Sequence, residues 1–336
     1  MVYLLINETS LNNTVYWSPT ERTFGLLYYA SAFILGTLGN IFVIYTTFKI
    51  LSKSQDKRTV MLIRYLAFFD LVCILIMYTL GFINLYNHTK YPFSKESCVV
   101  LGLFELYFPT ARNYFVLALV AMKVAMIDNP FLSLSESMRS VHLIGVGVIV
   151  SGFILPAGPF YGLLTYVYDP KRCFCTADFY PKELSKQIFM MSATVLTVVV
   201  PLIAITTLSI MLLQKIKKMT KGNVAGKSVR VILLIVLTYF VCWSAFFIVF
   251  CATFILQGED LIPKSFMFWS KAILMTMSAI NPFICIYSNK PIQKLFIMNC
   301  LPKWLRKKTD IGIMSITETS HFANKDMTVG NIIHVN

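Results

Sequence analysis

The chain has 336 residues, of which 57% are hydrophobic and only 14% are charged. A soluble domain carries roughly 25% charged residues, so this chain must bury apolar surface in something other than its own core. The formal net charge of +14 does not indicate nucleic-acid binding, because the basic residues lie in short segments between long apolar runs.

Seven apolar segments are long enough to cross a bilayer, since about 20 helical residues rising about 1.5 Å each span its hydrocarbon core. Their continuous apolar character excludes a β-barrel, whose strands alternate in polarity. The sequence therefore predicts an all-α membrane protein, a seven-transmembrane helix bundle with a short C-terminal amphipathic helix. The predicted spans are Phe24–Phe48, Thr59–Leu85, Cys98–Ile127, Leu143–Tyr166, Gln187–Leu213, Val229–Ile255 and Ser265–Tyr287.

Three parts follow from these spans. Residues 1–23 are predicted to be an extracellular N-terminal tail, residues 24–300 the seven-span domain, and residues 301–336 a cytoplasmic tail. Within the middle part, Asn289–Cys300 has apolar and basic residues at helical spacing. This pattern predicts a short helix that lies on the inner membrane surface.

The orientation follows from the connections between spans. One set of connections holds about twice as many Lys and Arg residues as the opposite set, and the positive-inside rule places the richer set in the cytoplasm. The N-terminus is then outside. Glycosylation sequons at Asn7, Asn12 and Asn87 all fall on that predicted outer side. We predict a multi-pass plasma-membrane protein with an extracellular N-terminus.

Several landmark residues occur in a fixed order along the spans. They are Gly39-Asn40 in the first, LAFFD ending at Asp70 in the second, Cys98 at the start of the third, Pro201 in the fifth, Cys242-Trp243 in the sixth and Asn281-Pro282 in the seventh. Seven spans with this ordered set resemble the rhodopsin-like (class A) G-protein-coupled receptors, in a divergent form. The resemblance implies a receptor in membrane lipid that binds an extracellular ligand and a heterotrimeric G protein, with no cofactor.

Polar residues and prolines inside the spans are the predicted switch core. Asn40, Asp70 and Asn281 should face the bundle interior and bond to one another or to water. Pro201 and Pro282 interrupt the backbone hydrogen bonds of their helices and allow a kink or hinge.

The resemblance implies a ligand pocket between the third, fifth, sixth and seventh spans. Trp243 lies one turn below Phe246 and Phe247, and such a Trp forms the pocket floor in this family; lipid-facing aromatic packing is the alternative. The predicted pocket residues are Glu105, Phe108, Thr194, Trp243, Phe246, Phe247 and Lys271.

Charged residues inside the spans are costly and usually functional. Glu105 and Arg112 are seven residues apart, so they share one face of the third predicted helix. The resemblance places Glu105 where amine receptors carry their ligand-binding aspartate, and Arg112 at a sodium site beside Asp70. We predict an Arg112–Asp70 pair that replaces sodium, and a Glu105–Lys271 pair, here named the latch, across the pocket. The alternative is that both pairs only neutralise buried charges.

Three cysteines fall on the oxidising outer side, where disulfides persist. They are Cys98, Cys173 and Cys175. The resemblance implies that Cys98 pairs with one cysteine of the second outer loop. The prediction is Cys175, because CTADFY resembles the loop sequence of opsins, and the reverse assignment to Cys173 stays open.

The chain departs from the family at its inner end. The usual Asp-Arg-Tyr is replaced by Met122-Lys123-Val124, and the tyrosine of the NPxxY motif by Cys285. Lys123 keeps a positive charge on the predicted G-protein face but lacks the planar fork of Arg. Activation through other contacts, weak coupling and a silent receptor all remain open.

Other functions fit parts of the sequence. A non-signalling or decoy receptor fits Met122-Lys123-Val124. An opsin-like protein would lack retinal attachment, because Met275 stands seven residues before Pro282, where opsins have lysine. An ion-coupled transporter or channel is the alternative from another class, since intramembrane charges also mark ion paths, but no internal repeat is visible. An enzyme is not predicted, because no metal-ligand cluster, phosphate loop or nucleophile motif is visible.

Overall fold

The computed structural model describes residues 17–52, 57–87, 94–129, 138–178, 181–219, 224–256, 262–288 and 290–300. The chain divides into two compact units, Met1–Ser288 and Asn289–Asn336. The helices of the first unit are α1 (Pro19–Leu51), α2 (Lys57–Tyr86), α3 (Lys95–Asp128), α4 (Arg139–Ile154), α5 (residues 184–219), α6 (Val224–Leu256) and α7 (Lys264–Ser288). The second unit contains α8 (Lys290–Cys300). The predicted fold class is confirmed.

Local sequence signals set the helix starts. At α1, the Ser18 hydroxyl accepts a hydrogen bond from the Glu21 amide at 3.2 Å, and the Glu21 carboxylate accepts one from the Ser18 amide at 3.1 Å. Pro19 occupies the first helical position, where no amide donor is needed. At α3, the Ser94 hydroxyl accepts from the Ser97 amide at 3.3 Å. Each cap satisfies a backbone donor that the helix itself leaves free.

Two helices contain a π-helical turn. In α2 it spans Ile74–Tyr78, and in α5 it spans Val195–Val199, two residues before Pro201. Such turns shift the side-chain register of a helix and are frequent at functional sites.

The fourth predicted span extends too far. It was predicted to run over Leu143–Tyr166, but α4 ends at Ile154. Pro156 and Pro159 have no amide donor, so they cannot continue the helical hydrogen bonds. The chain passes instead into a 3₁₀ turn at Gly158–Tyr161.

A β-hairpin, which the sequence did not predict, lies between α4 and α5. Its strands are β1 (Tyr166–Asp169) and β2 (Phe174–Ala177), which pair antiparallel with Tyr168 opposite Cys175. Cys173 has a positive φ of 56° in the tight connection. The hairpin and Cys98 mark one end of the bundle, which we call the hairpin end.

The surface of the bundle suits lipid. Five helices are long and apolar enough to cross a membrane: α1, α2, α3, α5 and α7. The other two predicted spans fall on α4 and α6, whose apolar helical stretches are Arg139–Ile154 and Leu237–Ala252. Leu38, Leu143 and Ile203 are each more than 60% exposed, whereas Asn40, Asp70 and Asn113 are fully buried. An apolar exterior around polar interior groups is the arrangement expected of a membrane bundle.

Helix α3 occupies the centre of the bundle. It packs against α2, α4 and α5, and β2 packs against it at the hairpin end. α7 packs against α1, α2 and α6 on the other side. Residues on α3 therefore reach most of the elements that surround the bundle interior.

Candidate functional site

A cavity lies between α3, α5, α6 and α7 near the hairpin end, and residues of β2 form part of its wall. It encloses about 50 Å³ of free space. Most of its lining is apolar, including Met190, Val198 and Leu274. Five of the predicted pocket residues line it: Glu105, Thr194, Trp243, Phe246 and Lys271.

Phe108, a predicted pocket residue, does not line this cavity. It is 3% exposed and packs against Phe69 of α2 and Phe104 of α3, with ring centroids 5.2 and 5.6 Å away. On α3 the cavity instead contacts Glu105, Leu106, Pro109 and Thr110. Phe108 is therefore part of the α2–α3 packing.

Phe247 is the second predicted pocket residue that lies elsewhere. It is 37% exposed on the outer face of α6. The helical period explains the difference, because Phe246 and Phe250 follow Trp243 by three and seven residues on one side of the helix. Those two residues line the cavity with Trp243, whereas Phe247 turns away from it.

The latch residues are in direct contact. The Lys271 ammonium forms an ion pair with the Glu105 carboxylate, and the two side chains are only 2% and 6% exposed. The second carboxylate oxygen of Glu105 accepts a hydrogen bond from the Thr176 hydroxyl at 3.4 Å. The Lys271 ammonium also lies 5.8 Å from the centroid of the Phe174 ring. The pair thus joins α3 to α7 under the hairpin.

The hairpin is fixed over the cavity by several bonds. A disulfide joins Cys98 at the start of α3 to Cys175 of β2, which is the predicted pairing, and Cys173 has a free, buried thiol. Asn84 of α2 donates a hydrogen bond to the Cys173 carbonyl at 2.9 Å. The Tyr166 hydroxyl donates to the Pro156 carbonyl at 3.0 Å. The hairpin is therefore tied to α2, to α3 and to the segment after α4.

Trp243 has a hydrogen-bond partner that the sequence reasoning missed. Its indole nitrogen donates to the side-chain oxygen of Asn113 at 3.2 Å, and the Asn113 amide nitrogen donates to the Thr197 carbonyl at 2.8 Å. Asn113 is fully buried. It therefore links α3 to both α5 and α6 beside the cavity.

Asn113 and Asn40 each donate a hydrogen bond to a backbone carbonyl that a proline leaves unpaired. A proline cannot donate to the carbonyl four residues earlier in its helix. For Pro201 that carbonyl belongs to Thr197, which accepts from Asn113. For Pro282 it belongs to Ser278, which accepts from Asn40 at 3.1 Å. The sequence signal available was that the carbonyl four residues before each proline needs a side-chain donor, although this signal does not identify Asn113 as that donor.

The polar core is connected differently from the prediction. Asn281 donates a hydrogen bond to the Asp70 carboxylate at 2.6 Å, as expected, but Asn40 bonds to backbone carbonyls instead. The predicted direct Arg112–Asp70 ion pair is wrong. The Arg112 guanidinium donates to the Ser278 hydroxyl at 2.7 Å and to the Leu274 carbonyl at 3.4 Å.

Ser278 of α7 holds the Arg112 guanidinium in place of the carboxylate. Its hydroxyl accepts a hydrogen bond from one guanidinium nitrogen. Arg112 and Asp70 still lie close enough to interact electrostatically. The buried core therefore keeps a cation near its carboxylate without a direct contact between them.

The remaining predicted residues lie towards the two ends of the bundle. Lys123 is half-buried near the end of α3 that is away from the hairpin, where Lys215 of α5 forms an ion pair with Asp128. Asn87 is exposed at the end of α2, on the same side as the hairpin. Asn7 and Asn12 lie outside the described residues.

A sequence profile described as "7 transmembrane receptor (rhodopsin family)" matches residues 39–285, which is most of the chain. The chain belongs to the rhodopsin family of seven-transmembrane receptors. A comparison of this receptor with curated proteins gives no match.

The receptor is similar in structure to squid rhodopsin, known from a crystal structure. The TM-score is 0.71 at 16% sequence identity, and the match covers 88% of this chain and 85% of that one. At that identity the similarity shows the fold alone. The family match and the long apolar helices show that the receptor is a multi-pass membrane protein.

In the receptor, Met275 occupies the position at which opsins have their retinal-binding lysine, so no amine is present there. Met275 is 4% exposed in α7 and does not line the cavity. The amine of the cavity comes from Lys271, one turn earlier, where the Glu105 carboxylate already neutralises it.

Proposed function

We propose that the chain is a cell-surface receptor that an extracellular ligand activates from the cavity at the hairpin end. The observation that carries this proposal is the buried Glu105–Lys271 ion pair in the cavity wall. A buried ion pair depends on both partners, because the loss of one leaves an unpaired buried charge. A ligand that separates the two side chains changes the balance of forces between α3 and α7.

The same cavity also contacts Trp243, whose indole is bonded to Asn113. A ligand that displaces the indole would weaken the link between α6 and α3. The two states of the bundle would then differ in the latch and in this hydrogen bond, and ligand binding would shift the population between them. The partner at the far end is a heterotrimeric G protein, which would meet the basic segment between α5 and α6 beside the anionic leaflet of the membrane lipid.

The orientation rests on two sequence features. The basic residues are concentrated in the connections away from the hairpin end, which the positive-inside rule assigns to the cytoplasm. Asn87, in a glycosylation sequon, is exposed at the hairpin end. The N-terminus and the cavity would therefore face the extracellular side of the plasma membrane.

The test is the basal activity of latch variants in cells. Glu105→Gln and Lys271→Gln are each expressed with an N-terminal epitope, and surface labelling of intact cells is measured beside G-protein dissociation. Both variants are expected to raise basal activation several-fold. Glu183→Gln removes an exposed ion pair with Lys186 and is the matched control, expected to have no effect. Latch variants that reach the surface and behave like the control would rule out the latch as a switch of G-protein activation in the native chain.

A receptor that binds ligand without signalling is the second candidate. Met122-Lys123-Val124 favours it, because this triplet lacks the acid, the guanidinium and the phenol of the family motif. The test is the triple variant Met122→Asp, Lys123→Arg and Val124→Tyr. A gain of G-protein activation over the wild type would show that the native chain is uncoupled.

A further inference from the structure

The wall of the cavity carries one ammonium group and one carboxylate, and these are its only charges among the described lining residues. They belong to Lys271 and Glu105, which neutralise each other in a direct ion pair. Both side chains are almost completely buried, so bulk water cannot serve as a substitute partner for either one. The charge of a ligand therefore decides whether both groups remain paired.

A ligand with a single charge leaves one of these groups without a partner. An amine would bind Glu105 and leave the Lys271 ammonium without a partner. A carboxylic acid would bind Lys271 and leave the Glu105 carboxylate without one. An unpaired buried charge is strongly destabilising, which lowers the affinity for either kind of ligand. A ligand that carries both charges can insert between the two side chains and give each a new partner.

The remaining lining selects for an apolar group. Phe246, Phe250 and Trp243 come from α6, and Met190 and Val198 come from α5. The ring centroids of Trp243 and Phe246 are 5.9 Å apart in an edge-to-face arrangement. Such a wall contacts an aromatic or branched apolar side chain well, but it offers few partners to a polar one.

From this charge balance and this lining, we infer that the receptor's ligand is a small zwitterion, an amino acid with an apolar side chain. Its carboxylate pairs with Lys271, its ammonium pairs with Glu105, and its side chain packs against the aromatic residues of α6. This inference rests on the proposed function, because it assigns a ligand class to the same cavity. The latch is then exchanged for two new ion pairs, with no buried charge left unpaired.

Three matched probes test this assignment: L-phenylalanine, 2-phenylethylamine, which lacks the carboxylate, and 3-phenylpropanoate, which lacks the ammonium. L-Leucine, L-methionine and L-tryptophan extend the panel with their decarboxylated and deaminated analogues. Thermal stabilisation of the purified full chain in lipid nanodiscs reports binding without any G protein. At least one amino acid should stabilise the wild type with an apparent affinity at least about tenfold higher than either of its single-charge analogues.

The latch variants should change this preference in opposite directions. Glu105→Gln leaves Lys271 as the only charge, so the carboxylate-only analogue should bind at least as tightly as the amino acid. Lys271→Gln should shift the preference to the amine-only analogue. Glu183→Gln is the control and should keep the wild-type preference, because the Glu183–Lys186 pair does not line the cavity.

Two results would overturn the assignment. One is a wild type that binds a single-charge analogue as tightly as the zwitterion, and the other is a wild type that no amino acid of the panel stabilises. In both cases the proposed receptor function is decided separately, by the basal G-protein activation of Glu105→Gln, which needs no added ligand.

Discussion

The indole nitrogen of Trp243 in α6 donates a hydrogen bond to the side-chain oxygen of Asn113 in α3, at 3.2 Å. Both side chains are buried, at 4% and 0% exposure. The same asparagine donates to the Thr197 carbonyl of α5, so a single side chain connects three helices next to the cavity.

Asn113→Leu keeps the size of the side chain and removes both hydrogen bonds. The Trp243 indole and the Thr197 carbonyl then lose a buried partner, and each unsatisfied group costs about 1–3 kcal/mol. The melting temperature of the receptor in nanodiscs should fall. Ser244→Ala is the control, because Ser244 follows Trp243 in the chain but is exposed and bonds within its own helix. Equal melting temperatures for the two variants would contradict this account of Asn113.

Arg112 should make the receptor insensitive to sodium ions. Its guanidinium supplies a fixed positive charge near the fully buried Asp70, so a bound cation is not needed there. Arg112→Ala removes this charge and opens space beside the carboxylate, which should then take up a small monovalent cation. The melting temperature of the variant should rise when sodium chloride replaces N-methylglucamine chloride at equal ionic strength, and that of the wild type should not.

A second substitution separates a specific site from a general salt effect. In the Arg112→Ala background, Asp70→Asn removes the carboxylate that would hold the ion, and the sodium response should disappear. Sodium stabilisation of the wild type would show that the guanidinium does not fill this role.

Gly102 allows the hairpin to approach α3. A Cβ atom at this position would lie 2.9 Å from the Cβ of Tyr166 and closer still to its ring. Tyr166 is 1% exposed and bonded to the Pro156 carbonyl, so it cannot move aside easily. Gly102→Ala should therefore destabilise the receptor by about 1–3 kcal/mol, measured by thermal unfolding.

Gly147→Ala is the matched control for Gly102. Apart from its chain neighbours and the backbone of its own helix, nothing lies within 4 Å of a Cβ built at Gly147 in α4, and alanine favours helix over glycine by about 1 kcal/mol. This variant should be neutral or slightly more stable. If both alanine variants were equally stable, close packing of the hairpin on α3 would not be needed.

Cys173 should react slowly with alkylating reagents in the folded receptor. Burial raises the pKa of its thiol well above the usual range, and the nearby Asp169 carboxylate raises it further. The thiol form is the neutral one, so a raised pKa keeps the unreactive thiol through pH 7 to 9, where an exposed cysteine gains thiolate. Peptide mass spectrometry after iodoacetamide treatment should show little modification of Cys173 across this pH range.

Unfolding in denaturant without a reductant gives the comparison. Cys173 should then be alkylated fully, whereas Cys98 and Cys175 should stay protected as a disulfide. Protection of Cys173 in the unfolded chain would mean that it, and not Cys175, is the partner of Cys98.

The helices could be predicted because their signal is local. Long apolar runs must form helices in lipid, and the predicted spans agree with six of the long helices to within a few residues at most ends. The predicted end of the fourth span was wrong because the apolar composition continues beyond the point at which the backbone can remain helical. Leu155–Tyr166 is apolar enough to extend the span, but Pro156 and Pro159 remove the amide donors that a helix requires.

Part of the site was predictable because a charged side chain inside the bundle needs a partner, and Thr194, Trp243 and Phe246, which also line the cavity, were predicted from the family resemblance. Glu105 and Lys271 had to be neutralised inside the bundle, and the fold brings them together. Arg112 and Asp70 also carry opposite buried charges, but the Arg112 guanidinium donates a hydrogen bond to Ser278 of α7 and does not contact the carboxylate. The packing of the helices across the bundle decides that Ser278 lies beside Arg112. Residue spacing along the chain does not reveal such a contact.

Four charged side chains are buried at mid-helix positions in the described part of the bundle: Asp70, Glu105, Arg112 and Lys271. Two are positive and two are negative, so a motion that carries a positive and a negative side chain together along the membrane normal moves no net charge through the transmembrane voltage. A lone buried charge moved across the membrane would instead respond with about 2.3 kcal/mol per 100 mV. A voltage response of the bundle interior therefore requires that a buried cation and a buried carboxylate move apart along the membrane normal.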